Sequence, residues 1–356
     1  MSVKSRLGRL RQELAAKGLS GFLVSQPENR YYLSGFSGSS GFLLITPGRA
    51  VLATDFRYLE QAGRQAPDYE VFPIAGSTLD WFPRLVAEPG LEKLGFESGH
   101  ITLARYQRLT EALGKAKSRP DLVPVEGLVE SLRMVKEAEE VRLIAEAAAI
   151  ADSALEHIRD TVRAGMTEVE VAWEIEKFMR EQGSQPVPFA VIVGAGPNSA
   201  LPHAQPAGYA IRPGEPIVID IGARVGGYGS DLTRTICLGA PGDTLRKVYD
   251  TVLKAQLAAI AGIKGGMTGG EADSLARQVI EQAGYGEAFG HALGHGVGLA
   301  VHEGPRLGPN SAEPLLDGMV FSVEPGIYIS GWGGVRIEDT VVLESGKIRV
   351  MTKARK

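Results

Sequence analysis

Two aspartates in apolar, strand-like segments constrain the fold of this chain more than any other feature. Asp220 lies in the run Ile-Val-Ile-Asp-Ile at 217–221, and Asp231 follows a glycine-rich turn. We predict a hairpin with its turn centred near Val225–Gly226, which would place Asp220 opposite Asp231. Two like charges opposite each other in an apolar sheet are destabilising. A positive group must therefore compensate them, or they must be protonated.

A second segment repeats this arrangement with glutamates. Glu324 and Glu338 flank a stretch of alternating apolar residues and glycines, and a hairpin centred near Gly331 would place them opposite each other. Arg336 stands two residues before Glu338, so the two side chains share one face of a strand. The second hairpin therefore adds two more carboxylates and one cation.

Four carboxylates in two apolar hairpins are the ligands that hard divalent cations require. The alternative is that the hairpins are solvated acidic edges. The isoleucine and valine neighbours of Asp220 argue against that alternative. For Glu338 it is stronger, because Asp339 beside it is compatible with an ordinary surface.

Histidines cluster in the same part of the chain. His291, His295 and His302 fall within twelve residues, and glycines on both sides of His295 allow close approach of the backbone to a site. One imidazole added to four carboxylates suits Mn, Co, Zn or Fe better than Ca or Mg. Each histidine alone would be a packed or exposed imidazole, but the density of the segment favours a site.

The other three histidines receive different interpretations. His203 follows the loop 194–199, rich in glycine and small residues, which we interpret as lying on the substrate side. His100 and His157 are interpreted as structural or exposed, and no function is assigned to them.

The chain has 356 residues and therefore the length of two domains. Its first part alternates helix and strand signals, as in a small α/β unit, and a connecting stretch follows around Pro124. The second part combines strand hairpins with helices expected at 167–182, 243–263 and 270–283, which indicates an α+β fold. We predict domains at 1–128 and 129–356.

Composition excludes some partners. The formal net charge of −4 gives no electrostatic reason to bind nucleic acid or an anionic membrane. No apolar stretch is long enough to span a bilayer, and the N-terminus lacks the apolar core of a signal peptide. The single cysteine, Cys237, cannot form an intrachain disulfide and fits a reducing compartment. We therefore expect a cytoplasmic protein.

The motifs that carry these residues resemble those of the pita-bread metallopeptidases, and most of all the aminopeptidase P and prolidase branch. The matching segments are Asp-Ile-Gly-Ala at 220–223, Ser-Asp-Leu-Thr-Arg-Thr at 230–235, Gly-His-Gly-Val-Gly at 294–298, Val-His-Glu at 301–303, Glu-Pro-Gly-Ile-Tyr at 324–328 and Val-Arg-Ile-Glu-Asp at 335–339. Residues 27–36 and 54–58 resemble the creatinase-like N-terminal domain of these enzymes. Methionine aminopeptidases generally lack that domain.

The resemblance implies a pita-bread catalytic domain behind a smaller creatinase-like domain, and two divalent metal ions with manganese expected first. The implied ligands are Asp220, Asp231, His295, Glu324 and Glu338, of which Asp231 and Glu338 would bridge the two ions. Catalytic roles are implied for His203 and His302 at the substrate and for Glu324 in proton transfer. The resemblance also implies substrate contacts for His291 and Arg336, and a homodimer.

The expected function is hydrolysis of the bond between an N-terminal residue and a following proline in peptides. The leaving nitrogen of proline carries no N–H, so a pocket shaped for its ring would supply specificity, with Phe189, His291 and Tyr328 as candidate walls. The nearest alternative is an Xaa-Pro dipeptidase, for which Arg306 is a candidate carboxylate partner, although a surface role suits Arg306 better. More distant alternatives are a non-catalytic binding protein and a metal-free, creatinase-like hydrolase.

Overall fold

The computed structural model describes residues 3–116 and 119–356. These divide into two compact units, one ending at Arg133 and the other beginning at Met134. In the described ranges, no helix is both long and apolar enough to cross a membrane.

The N-terminal unit is built on one six-stranded sheet. Its strands are β1 (Gly21–Val24), β2 (Phe42–Ile45), β3 (Ala50–Asp55), β4 (Glu70–Ile74), β5 (Lys93–Glu97) and β6 (Asp121–Val125). Its helices are α1 (Val3–Ala16), α2 (Pro27–Ser34), α3 (Leu59–Gln65), α4 (Thr78–Leu85), α5 (Leu103–Leu113) and α6 (Leu128–Met134), which ends at the division. The strand order is β4-β3-β2-β1-β5-β6, with β1 antiparallel to β2 and parallel to β5.

Proline residues interrupt the periodic patterns from which strands and helices of this unit would be predicted. The stretch around Pro124, expected to be a connection, is the edge strand β6, and Pro73 lies in the other edge strand, β4. Proline is confined to edges because it cannot donate to a neighbouring strand. Helix α3 begins only at Leu59, and helix α4 contains Pro83, which interrupts its periodic pattern.

The C-terminal unit contains four helices and several small sheets in its described residues. The helices are α7 (Ala138–Thr161), α8 (Glu168–Glu181), α9 (Asp243–Gly262) and α10 (Gly269–Gln282), with short 3-10 turns at Gly196–Ala200 and Gly286–Ala288. The strands are β7 (Ile192–Ala195), β8 (Ile217–Ile221), β9 (Arg224–Val225), β10 (Tyr228–Gly229), β11 (Leu232–Ile236), β12 (Gly294–Gly296), β13 (Glu303–Leu307), β14 (Val320–Val323), β15 (Gly326–Ile329), β16 (Gly333–Arg336), β17 (Asp339–Glu344) and β18 (Lys347–Val350).

These elements form two similar halves. In one, α7 and α8 pack on the sheet β11-β8-β7; in the other, α9 and α10 pack on the sheet β13-β12-β14-β17-β18. The sequence Gly-Met-Thr-x-x-Glu precedes both shorter helices, at 165–170 and 266–271. In each copy the threonine and the glutamate form a reciprocal capping box. This repeat, together with the two acidic hairpins, indicates an internal duplication in the C-terminal unit.

The α+β architecture predicted for this unit is confirmed, and its three predicted helices lie within one residue of their expected bounds. The first acidic hairpin supplies β8 and β11 to the smaller sheet, and the segments on either side of the second supply β14 and β17 to the larger one.

Candidate metal centre

The first hairpin carries its aspartates on one face, although not in the predicted register. Thr233 of β11 pairs with Asp220 of β8, and Asp231 precedes the first pair of that ladder. The turn lies one residue later than expected, at Gly226 and Gly227, whose positive φ angles of 55° and 85° favour glycine. The pairing is displaced by two residues, so the facing of the side chains is retained.

The second hairpin is two short ladders separated by a break, and the glutamates occupy the break. Val323 of β14 pairs with Asp339 of β17, and Gly326 of β15 pairs with Arg336 of β16. The register on both sides of the break sets Glu324 across from Glu338. The oxygens of Asp220, Asp231 and Glu338 gather within 4.8 Å of one another.

His295 joins this cluster from β12. Its Nε2 atom lies 3.2 Å from Glu324 Oε1 and 3.7 Å from Asp231 Oδ2. Its Nδ1 donates to the carbonyl of Gly296, 3.1 Å away. In the neutral ring that bond leaves Nε2 as an acceptor, which is the arrangement that orients a metal-ligating histidine. A side chain at Gly294 or Gly296 would collide with the neighbouring backbone, so the glycines permit this close packing.

Arg336 is the permanent cation bonded to the cluster. It is 3% exposed, and its Nη2 donates to Asp220 Oδ2 at 2.7 Å. Its other donors reach the Tyr328 hydroxyl at 2.8 Å and Thr233 Oγ1 at 3.0 Å. The guanidinium therefore connects the first acidic hairpin to the second.

Hydroxyl groups that sequence reasoning missed hold two of the carboxylates. Thr233 Oγ1 donates to Glu338 Oε2 at 2.6 Å, and Ser322 Oγ donates to Glu324 Oε1 at 3.0 Å. Each hydroxyl lies on a strand, two residues along the chain from an acidic residue just outside that strand: Asp231 for Thr233 and Glu324 for Ser322. The period of two in a strand was therefore a signal that could have found them.

The electrostatics of the cluster are those of crowded, buried carboxylates. Burial, together with repulsion from neighbouring carboxylates, raises the pKa of Asp231 and of Glu338 well above the usual range. Burial opposes ionisation of Glu324 too, but its hydrogen bond to His295 prevails and lowers the pKa of Glu324 to about 2. Burial lowers and the bond to Glu324 raises the pKa of His295, with a net rise.

The residues present fit divalent metal ions. Asp220 Oδ1 is buried and has no hydrogen-bond partner within residues 3–116 and 119–356. The cluster offers four carboxylates and one correctly oriented imidazole, and the bond from Arg336 offsets only part of that negative charge. Oxygen ligands with one imidazole suit Mn, Fe, Co or Zn.

A cavity of about 620 Å³ opens over this cluster. All nine residues proposed from the sequence as site residues line it: His203, Asp220, Asp231, His291, His295, His302, Glu324, Arg336 and Glu338. The candidate walls Phe189 and Tyr328 line it too, and so does Arg306.

The histidines differ in their surroundings. The rings of His302 and His295 lie 4.2 Å apart, and His291 Nε2 lies 3.1 Å from the Tyr328 hydroxyl. Burial and the charge of His295 lower the pKa of His302. His157 is outside the cavity, where it pairs with Glu174 at 3.0 Å, in agreement with its structural interpretation.

A buried ion pair that sequence reasoning missed supports the loop carrying His302. Lys136 Nζ lies 2.8 Å from Glu303 Oε1, and the two side chains are 1% and 6% exposed. Glu303 also accepts the backbone N–H of Ala300. The glutamate of the segment Val-His-Glu therefore fixes the loop beside the histidine.

Comparison with known proteins agrees with this geometry. Residues 142–345 match the model of metallopeptidase family M24, and residues 6–135 match the Creatinase/Prolidase N-terminal domain. The chain belongs to metallopeptidase family M24 and is a metal-dependent hydrolase with the pita-bread fold of that family.

Three relatives illustrate the similarity. The structure of the Xaa-Pro dipeptidase from Bacillus anthracis matches with a TM-score of 0.95 and 44% identity, covering 100% of this chain and 99% of that one. The X-Pro aminopeptidase from Thermotoga maritima matches with a TM-score of 0.87 and 37% identity, covering 98% of each chain. The Xaa-Pro dipeptidase of Pyrococcus furiosus is 34% identical over 99% of both chains.

Proposed function

We propose that this protein is an Xaa-Pro peptidase, which hydrolyses the bond between an N-terminal residue and a following proline. The observation that carries the proposal is the cavity in which four carboxylates and His295 converge beside His203, His302 and Arg336. The names of the relatives support proline as the second residue, because they are Xaa-Pro dipeptidases and an X-Pro aminopeptidase.

Within this proposal, Asp220, Asp231, His295, Glu324 and Glu338 would hold two divalent ions, and Asp231 and Glu338 would be ligands of both. Manganese is the metal we expect, with cobalt, zinc and iron as the alternatives that the same donors accept. When bound, such ions polarise a carbonyl and lower the pKa of a water towards neutrality.

The protein's own groups then do the remaining work. Glu324 can accept a proton from water and pass it to the leaving nitrogen. His302 and His203 can donate hydrogen bonds to the oxygen on which charge develops. Since the proline nitrogen has no N–H, recognition of the leaving group falls to the shape of the cavity wall, where Phe189 and Tyr328 lie.

The length of the substrate follows from what recognises its C-terminal end. Arg306 is an exposed residue of β13 that also lines the cavity. A guanidinium there can pair with the carboxylate of a dipeptide, which an ester or a longer peptide would not present at that place. This favours an Xaa-Pro dipeptidase, while the likeness to the Thermotoga maritima enzyme favours an aminopeptidase acting on longer peptides.

We further propose that the chain forms a homodimer, works in the cytoplasm and is divided functionally into 1–128 and 129–356. The single cysteine is compatible with a reducing compartment, and light scattering would test the dimer. These proposals do not affect the chemistry of the site.

The decisive assay uses purified, metal-stripped protein with Ala-Pro, Ala-Pro-Ala and Ala-Ala as substrates, with and without Mn²⁺ or Co²⁺. Metal-dependent cleavage of Ala-Pro alone is the result expected of a dipeptidase, and release of alanine from Ala-Pro-Ala is that of an aminopeptidase. Loss of Ala-Pro cleavage in Arg306→Met, with Ala-Pro-Ala unaffected, would assign the carboxylate contact. Failure to cleave either proline peptide with any metal would refute the proposal.

A further inference from the structure

A buried ion pair lies behind the metal centre, on the opposite face of the same strands. Arg234 of β11 and Asp339 of β17 are both fully buried, and their Nη2 and Oδ1 atoms are 2.7 Å apart. Neither residue lines the cavity. Side chains alternate along a strand, so Arg234 and Asp339 point away from the site that Thr233 and Glu338 face.

The guanidinium of Arg234 connects the two strands that bring Asp231 and Glu338, two of the proposed metal ligands, close together. Its Nη1 donates to the carbonyl of Thr233 at 2.9 Å and to the carbonyl of Glu338. The N–H of Glu338 in turn donates to the Thr233 carbonyl at 3.1 Å. These strands belong to different sheets, so Arg234 closes the junction between the two halves of the unit at the level of the carboxylates.

The remaining donors of Arg234 hold a segment near the end of the sequence. Nη2 donates to the carbonyl of Ala354 at 2.8 Å, and Nε reaches the carbonyls of Ala354 and Arg355 at 3.2 Å. The segment 352–356 therefore passes directly behind the metal centre.

Asp339 is satisfied by the same segment. Its Oδ1 accepts the hydroxyl of Thr352 at 2.8 Å, and its Oδ2 accepts Gln256 Nε2 at 2.7 Å and lies 2.6 Å from Lys356 Nζ. Both oxygens of this carboxylate are thus engaged by the protein, and none of its capacity is left for a metal ion.

From these contacts we propose that Arg234, Asp339 and Lys356 form a positioning unit for the metal centre. The unit holds the backbone of Thr233 and Glu338, and it thereby keeps the carboxylates of Asp231 and Glu338 in the position in which they would bind metal ions. It touches neither substrate nor metal. The inference rests on the proposed metal centre, because it assigns a purpose to contacts made with the backbone of its predicted ligands.

The test measures metal affinity rather than activity. Isothermal titration of Mn²⁺ into metal-stripped protein would compare the wild type with Arg234→Lys, Asp339→Asn and Lys356→Met. Partners that orient metal ligands typically contribute about 10–100-fold in affinity. We expect losses in that range for Arg234→Lys and Asp339→Asn, and about tenfold for the milder Lys356→Met.

Two controls separate positioning from general stability. Met179→Ala leaves a cavity in the hydrophobic core against which helix α8 packs, and should lower the melting temperature. Met179 does not line the cavity of the candidate site. Arg159→Lys changes another arginine that donates to the carbonyl of Arg355 in the same segment. It leaves in place the bond from Arg234 to the carbonyl of Glu338. Both variants should bind Mn²⁺ as the wild type does. The visible spectrum of the Co²⁺-loaded protein should change in Arg234→Lys and not in the controls, because it reports coordination geometry.

The proposal would be overturned if Arg234→Lys and Asp339→Asn bound Mn²⁺ as tightly as Met179→Ala of equal or lower melting temperature. If Arg234→Lys fails to fold, unchanged affinity in Lys356→Met would overturn it equally. Wild-type protein that binds no Mn²⁺, Co²⁺ or Zn²⁺ would remove the metal centre together with this inference. If the wild type and every variant bound Mn²⁺ with the same affinity, the positioning role would be refuted and the metal centre would stand.

Discussion

Two buried arginine–aspartate pairs in the C-terminal unit share one geometry and differ in completeness. Arg336 with Asp220 and Arg234 with Asp339 both have N–O distances of 2.7 Å. Asp339 accepts bonds at both oxygens, whereas Asp220 keeps Oδ1 without a partner among the described residues. The pair behind the strands is completed by the protein itself, and the pair facing the cavity presents an open ligand.

The difference shows how one pair of strands can serve two purposes. Residues on the cavity face are crowded with like charges, at a cost in stability, because that arrangement binds cations. Residues on the opposite face are fully bonded and keep the strands in place. Substitutions on the first face should therefore remove function without lowering stability, and substitutions on the second face should lower both stability and metal affinity.

The largest effect is expected for Asp231→Asn on the cavity face. Metal-dependent hydrolysis should be lost, since the contribution of metal ions amounts to several kcal/mol of transition-state stabilisation. In EDTA, the melting temperature should equal or exceed that of the wild type, because burial and repulsion already disfavour the ionised Asp231. A marked fall in that temperature would contradict the assignment of Asp231 to the working face.

Arg234→Met on the opposite face should instead reduce the free energy of unfolding by about 3–5 kcal/mol, since it breaks a buried pair. Urea unfolding with EDTA present would measure this. The control is Arg349→Met, which breaks an ion pair with Glu344 whose partners are 48% and 46% exposed. Such exposed pairs contribute about 0–1 kcal/mol. Equal losses in the two variants would mean that the buried pair contributes no more stability than an exposed one.

His302→Ala should lower kcat by about 10²–10³-fold, the usual effect of removing one donor to a developing oxyanion. KM and the melting temperature should change little, because His302 is expected to act in the transition state. His157→Ala, which removes an imidazole outside the cavity, should leave kcat unchanged. A rise in KM with constant kcat would make His302 a substrate-binding residue only.

The smallest effect concerns pH. In folded protein the pKa values of Asp231 and Glu338 are raised, so the folded state binds protons more tightly than the unfolded state. Their contribution to the stability of metal-free protein should be fully present below about pH 4 and decline as pH rises above the unfolded values. Glu324 acts oppositely, since its pKa of about 2 means that its contribution declines as pH falls from about 4 towards 2.

Unfolding free energies of metal-free protein between pH 5 and 8 would test this. The unfolding free energy of the double variant Asp231→Asn/Glu338→Gln should decline less with rising pH than that of the wild type. The difference should be about 1.4 kcal/mol for each tenfold difference in proton affinity between the folded and unfolded states that the substitutions remove. Identical slopes would mean that these carboxylates are not perturbed.

Much of the site could be predicted because its chemistry conflicts with local preference. Burying an aspartate in a run of isoleucine and valine costs free energy unless a cation compensates it, so the sequence alone marks Asp220 as a candidate ligand. The register of its hairpin could not be read with equal accuracy, because alternation specifies the face of a residue but permits a displacement of two. For this reason Asp231 was assigned to the correct face and to the wrong partner.

Fewer elements of the N-terminal unit could be predicted from the sequence. Edge strands β4 and β6 contain proline, and helices α2 and α4 are eight residues long with proline inside or at the start, so their periodic patterns are short or interrupted. The edge strands β4 and β6 are defined by their pairing with neighbouring strands of the sheet, which the local sequence pattern does not show.

The sequence by itself determined which acidic and histidine residues belong to the candidate site and the α+β class of the C-terminal unit, because these follow from residue type and spacing, which are local properties. Its motifs also implied a metal-dependent family through their resemblance to known metallopeptidases. Only the tertiary structure decided that Thr233 and Ser322 orient carboxylates, that Lys136 reaches Glu303, and that Arg234 and Asp339 lie behind the site. Except for the bond from Ser322 to Glu324, those contacts join residues a hundred or more positions apart. A strand's period of two can mark a hydroxyl as sharing a face with a carboxylate, but the partner and the distance depend on the tertiary fold.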